Sequence, residues 1–109
     1  MALAEACYVL TRNFPREELF GLTSQIRRAA ASVPANIAEG YGREHTRSFI
    51  QALRISQGSL KELETHLLLA KRVGTAEDLD VAGPLEQCES LGKMLRALIR
   101  SLQQKGAGT

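Results

Sequence analysis

A chain of 109 residues can build one hydrophobic core but not two. Its apolar content is 44%, with only 5% aromatic residues and no Trp, which suits aliphatic side chains packing helix on helix. Fourteen Lys and Arg against twelve Asp and Glu leave a net +2, too little to imply nucleic acid or an acidic membrane from net charge, so any such case rests on how the charge is distributed.

Turn signals divide the chain into four helical segments, expected near residues 2–12, 17–41, 45–73 and 76–104. No internal repeat and no strand-like alternation competes with them. The reading is therefore all-α: one domain over residues 1–109, with a short flexible tail at about 105–109.

The first segment carries Leu3, Ala6, Cys7 and Leu10 and closes at Asn13-Phe14-Pro15. It lacks the cationic start of a signal peptide, and no apolar run in the chain reaches the length of about 18 residues that a bilayer demands. Two cysteines, Cys7 and Cys88, are too few for a secreted disulfide framework. Together these features point to the cytoplasm, with both thiols free and no membrane partner. The segment is also short. At about 1.5 Å per residue it covers less than half the length of the second and third helices. Apolar surface on those helices is then left for another subunit to cover, which gives a physical motive for self-association.

The second segment places Leu19, Leu22, Ile26, Ala29, Val33 and Ile37 on one face. Gly21 interrupts its first turn, and Pro34 is expected to bend it. Asn36, Glu39 and Tyr41 form a candidate polar cluster at its end, either bracing the Pro34 bend or contacting a ligand.

The third segment shows the clearest stripe, with Phe49, Leu53, Ser56, Leu60, Leu63, Leu67 and Ala70 stepping by four and three. Gly58 and Ser59 are small enough there to admit a close neighbour. In the fourth, Val81, Leu85, Cys88, Gly92, Leu95, Ile99 and Leu102 repeat the pattern. Its acids come first and its bases last, as the helix dipole prefers. Thr75 with Asp78 resembles a capping box, and Gly83-Pro84 leaves two readings: a kinked helix from about residue 76, or a helix starting at Pro84. The expected core is Leu22, Ile26, Val33, Ile37, Leu53, Leu60, Leu63, Leu67, Leu95 and Leu102.

Catalytic and cofactor chemistry finds little to stand on. His45 and His66 are the only histidines, the cysteines have no C-x-x-C spacing, and the Glu-x-x-His motif of di-iron bundles is missing. Gly40-Tyr41-Gly42 lacks the GK[ST] of a phosphate loop, and Ser24 and Ser32 have no histidine near in sequence to activate them. The expectation is no catalytic residue, no metal and no cofactor.

The basic residues are the remaining candidates. Arg27, Arg28, Arg43 and Arg47, with His45 and Arg54, gather around the second and third segments, while Lys93, Arg96 and Arg100 share a stripe on the fourth. Such stripes serve as solvated helix faces or as phosphate-contacting surfaces. Tyr41 is the only aromatic residue near enough to stack on a base, so sequence-selective single-strand readout is not expected.

The stretch GLTSQIRRAAASVPANIAEGYGR at residues 21–43, with Ser48-Phe49 and Gly58-Ser59-Leu60-Lys61-Glu62-Leu63-Glu64-Thr65, resembles a bacterial family. Its members are named after open reading frames in the intervening sequences of 23S ribosomal RNA genes. The resemblance covers about residues 8–104 and implies an up-down-up-down four-helix bundle that assembles as a ring of five. A related branch, the accessory protein of diversity-generating retroelements, binds a reverse transcriptase and nucleic acid through a positively charged pentamer. The family name records gene location and does not make its members ribosomal subunits. Two departures stand out: the aromatic-containing start of the family's first helix is missing, and +2 is weak beside the cationic branch. Two functions follow as expectations. One is an oligomeric interaction scaffold with a protein partner; the other is a ring binding RNA or DNA through Arg27, Arg28, Arg43, Arg47, Lys93, Arg96 and Arg100.

Overall fold

The computed structural model describes the backbone of residues 1–107 and the side chains of residues 1–105. Four helices follow in order, α1 (Ala2–Thr11), α2 (Leu22–Tyr41), α3 (Thr46–Arg72) and α4 (Asp78–Ala107), with a 3-10 turn at Arg16–Glu18. No strand occurs among the described residues. The helices alternate up and down in a bundle 52 × 21 × 18 Å. α3 packs against both α2 and α4, and α1 fills the space between α2 and α4, which sit diagonally. The tail expected at about 105–109 is helical through Ala107, and Gly108 and Thr109 lie outside the described residues.

The stripes read from the sequence form the core. Ile26, Val33, Leu53, Leu60, Leu63, Leu67, Val81 and Leu95 are sealed from solvent, with Leu3 and Leu22 close behind. Ile37 and Leu102, expected in the core, are only partly buried. Both lie toward the end of the bundle that α1 does not reach.

α2 begins five residues later than the sequence suggests. Arg16–Glu18 form the 3-10 turn, and Gly21 breaks the path with φ −107 and ψ −115. The Glu18 carboxylate then accepts the Leu22 N–H at 3.1 Å, satisfying one of the free donors at the helix start. Leu19 consequently falls outside the helix and is exposed. Pro34 sits inside α2, so the Ala30 carbonyl has no helical donor. Beside it the Ser56 hydroxyl crosses from α3 to the Val33 carbonyl at 2.8 Å, a buried bond that ties the two helices at the weak point.

α3 ends in a Schellman motif. Gly74 takes φ +80, a left-handed conformation that suits glycine. The Thr75 N–H donates to the Ala70 carbonyl at 2.9 Å, and the Gly74 N–H to Lys71 at 3.2 Å. In place of the expected Thr75–Asp78 capping box, one half of such a box forms two residues further on: Asp80 accepts the Glu77 N–H at 3.2 Å. α4 then runs without interruption from Asp78, with Pro84 buried inside it instead of starting it.

Candidate interaction groove

Each residue of the sequence's polar cluster has a structural partner. The Asn36 amide donates to the Ser32 carbonyl at 2.8 Å and to the Ser32 hydroxyl at 3.0 Å. The Ser32 hydroxyl in turn meets that of Ser59 on α3 at 2.8 Å. Ser59 is thus the small residue through which α2 and α3 approach. Gly58, expected to help, has open space beside it. Glu39 pairs with Arg43 one turn on. Tyr41 packs its ring against Phe49 with centroids 4.8 Å apart. A Cβ at Gly40 would lie 2.8 Å from Phe49 Cδ1, so only glycine lets α3 come this close. These contacts lock the α2–α3 corner, and all of them are internal.

The basic residues divide between the two ends of the bundle. Arg27 is committed near the upper end, where α1 finishes. Its Nε donates to the Thr11 hydroxyl at 2.8 Å, and its guanidinium lies 4.8 Å from the Tyr8 ring centre. That staple fixes α1 on α2. Arg28, on the same turn, is exposed and donates to Gln25. Arg43 is held by Glu39, and Lys93 pairs with Glu89 at 3.6 Å. Arg47, Arg96 and Arg100 are exposed and have no carboxylate partner among the described residues. The antiparallel pairing of α3 and α4 brings Arg96 to the same groove as Arg54. Arg47 lies next along it. That groove has a cavity of about 660 Å3 over Leu60, Leu85 and Cys88. Arg54 was one residue among many in the sequence cluster. Its pairing with Arg96 depends on helix register, which sequence spacing does not carry.

Cys7 and Cys88 face each other's helices as free, fully buried thiols. Burial pushes Cys7 up to about 11 from 9.0. Cys88 rises to about 12, first through burial and then through the neighbouring Cys7 and Glu64, against a lowering effect of Lys61. At neutral pH both are protonated and poorly nucleophilic. His66 is half-buried, and its Nδ1 finds no hydrogen-bond partner. No group of three potential metal ligands occurs among the described residues, and no described helix is long and apolar enough to cross a membrane.

A family model described as 23S rRNA-intervening sequence protein matches residues 1–97. The chain belongs to that family. A solved structure from Bacteroides thetaiotaomicron, a protein with unknown function from the S23 ribosomal protein family, shares the fold with a TM-score of 0.76. The likeness covers 89% of this chain and 97% of that one at 21% identity, a level that speaks for fold alone. No curated protein matches the chain. Within the family fold, Pro34, Asn36, Gly40 and Tyr41 are explained by the corner they build, independently of any ligand.

Proposed function

We propose that the chain is a non-catalytic subunit of a cytoplasmic homo-oligomer, a helical scaffold that presents grooves to a partner protein. The observation that carries this reading is apolar surface left open toward the end of the bundle that holds the α2–α3 corner. Ile37 and Leu98 are only partly buried there, with Ile55 and Met94 exposed. A subunit contact at this end removes that apolar surface from water, at about 25 cal/mol per Å2. Five subunits is the number the family resemblance implies, and a ring requires two different faces of each chain to meet. Light scattering on the purified protein tests the reading: a particle of five 11.9 kDa chains is expected, and a monomer at micromolar concentration overturns it.

A second reading has its own support. Arg47, Arg54, Arg96 and Arg100 carry unneutralised charge along α3 and α4, and ring symmetry would multiply it. RNA or DNA binding through them would be weakly sequence-selective and salt-sensitive, with a log–log slope of roughly −0.7 to −0.9 per phosphate contact. Anisotropy with labelled RNA and DNA across a salt series decides it. Absence of binding at low salt removes this second reading.

A further inference from the structure

The groove between α3 and α4 runs along the bundle from the level of Glu64 and Leu85 down to Arg54 and Arg96. Gly58 and Gly92 stand on its two walls. A Cβ at Gly58 would meet nothing within 4 Å, and one at Gly92 would lie 3.5 Å from Leu60 Cδ2 and from Arg96 Nη1. Leu60, Leu85 and Cys88 form the floor, of which Leu85 is the partly exposed member, and Arg54 and Arg96 form the rim. A second hollow of about 640 Å3 continues past Arg54 to Arg47, Ile50 and Leu102. From Glu64 to Arg47 α3 covers about 26 Å, nearly five helical turns.

We propose that this groove is the docking site for an amphipathic acidic helix of a partner protein. The proposal rests on the protein-scaffold reading and names the chemistry of its partner. Charge complementarity selects that chemistry. The acids at the upper end of the groove are already engaged, Glu64 with Lys61 at 3.6 Å and Glu89 with Lys93 at 3.6 Å. The unneutralised charge is therefore positive, on Arg47, Arg54 and Arg96, and it borders apolar surface. An occupant must supply both an apolar stripe, at i, i+3 or i+4 and i+7, and carboxylates flanking it. Nucleic acid would neutralise the arginines but leave the partly exposed Leu85, Ile50 and Leu102 uncovered. A second copy fits less well. Its exposed apolar set at the end of α3, Leu68, Leu69 and Val73, lies beside Lys71 and Arg72, charges of the groove's own sign, and that of α1, Met1, Tyr8 and Val9, has Glu5 as its one acid.

The probe is a fluorescein-labelled synthetic helix of about 18 residues, with leucines on one stripe flanked by glutamates. A second peptide carries lysine at every glutamate. Saturable binding of the acidic peptide to the whole protein is expected, with the lysine peptide at least about 10-fold weaker. Arg54→Glu with Arg96→Glu should weaken the acidic peptide about 10-fold or more and restore the lysine peptide. Gly58→Leu, which projects a side chain into the groove and leaves both arginine charges in place, should weaken it similarly. Circular dichroism melts confirm that the variants are folded, and light scattering shows whether they stay assembled. No saturable binding overturns the proposal, as does binding indifferent to Gly58→Leu, which would mark attraction by charge alone. Stronger binding of a labelled RNA oligonucleotide, lost in the same variants, assigns the groove to nucleic acid instead. Variants that fall to monomers assign it to a subunit contact, which would sink the docking site and leave the assembly standing.

Discussion

The upper and lower halves of the bundle use the same helices to different ends. In the upper half four helices close around Cys7, Ile26, Leu63, Leu67, Val81 and Cys88, each at most 1% exposed. Arg27 is spent there on holding α1 in place. In the lower half the apolar residues Ile37, Ile50, Leu98 and Leu102 are only partly covered, and the arginines Arg47, Arg54 and Arg96 have no carboxylate to answer them among the described residues. One half has spent its side chains on its own fold; the other still has contacts to offer. The difference separates a region closed on its own fold from one with apolar and basic surface still open, into which the α3–α4 groove descends.

That contrast can be broken by mutation. Leu63→Ala leaves a cavity in the sealed upper core and should cost about 2–5 kcal/mol in urea melts, whereas Ile37→Ala, already half open to solvent, should cost no more than about half as much. Equal losses at the two sites would erase the distinction. Melts should be read at a concentration low enough to dissociate the proposed assembly, since association would itself add stability.

The next effect belongs to the thiols. Both Cys7 and Cys88 have folded pKa values above the ordinary 9.0, at about 11 and about 12, because burial favours the neutral thiol. A raised pKa means that the folded state holds its proton more tightly than the unfolded one. The stability so gained is fully present below about pH 9 and is lost as pH rises toward the folded values, by up to about 1.4 kcal/mol per pH unit for each thiol. Wild-type protein should therefore lose more stability between pH 8 and pH 10 than a Cys7→Ser/Cys88→Ser double variant. Identical pH slopes would show that the upper core does not hold these thiols as described.

Two glycines sharpen the comparison with the smallest effects and opposite signs. At Gly40 a Cβ would press on Phe49 at 2.8 Å. Overpacking of about 1–3 kcal/mol then outweighs the gain of up to about 1 kcal/mol from better helix propensity, so Gly40→Ala should destabilise. At Gly58 a Cβ meets nothing within 4 Å, and Gly58→Ala should stabilise by about 0.5–1 kcal/mol. A glycine that weakens its own helix where space is free fits a groove that receives something else. Destabilisation by Gly58→Ala would mean that the groove is closed in solution.

The stripes of α3 and α4 were legible in the sequence, because helical periodicity reports burial directly. Leu53, Leu60, Leu63, Leu67, Val81 and Leu95 all lie in the core as their spacing implies. Element type and number followed from the same signal, together with the turn residues. The start of α2 did not. Gly21 was visible as an interruption, but nothing local showed that Arg16–Glu18 would form a separate turn and cap Leu22 through Glu18. Asn36, Glu39 and Tyr41 could be picked out, while their partners Ser32, Arg43 and Phe49 came only with the structure. The basic residues show the limit most clearly. Their clustering in sequence joined Arg27 to Arg47, which the fold puts toward opposite ends, and kept Arg54 apart from Arg96, which it brings to one groove. Long-range register is a property of packing and leaves no trace in local spacing.

The proposed division into a self-sufficient upper half and a recognising lower half is tested most directly by hydrogen–deuterium exchange at two protein concentrations, one dilute enough to dissociate the proposed assembly and one well above it. Protection gained on assembly should be confined to residues 35–41, 46–57 and 94–107, with the upper segments of α1 and α2 protected equally in both samples. Gains concentrated at the upper end, or none at any concentration, would contradict the account.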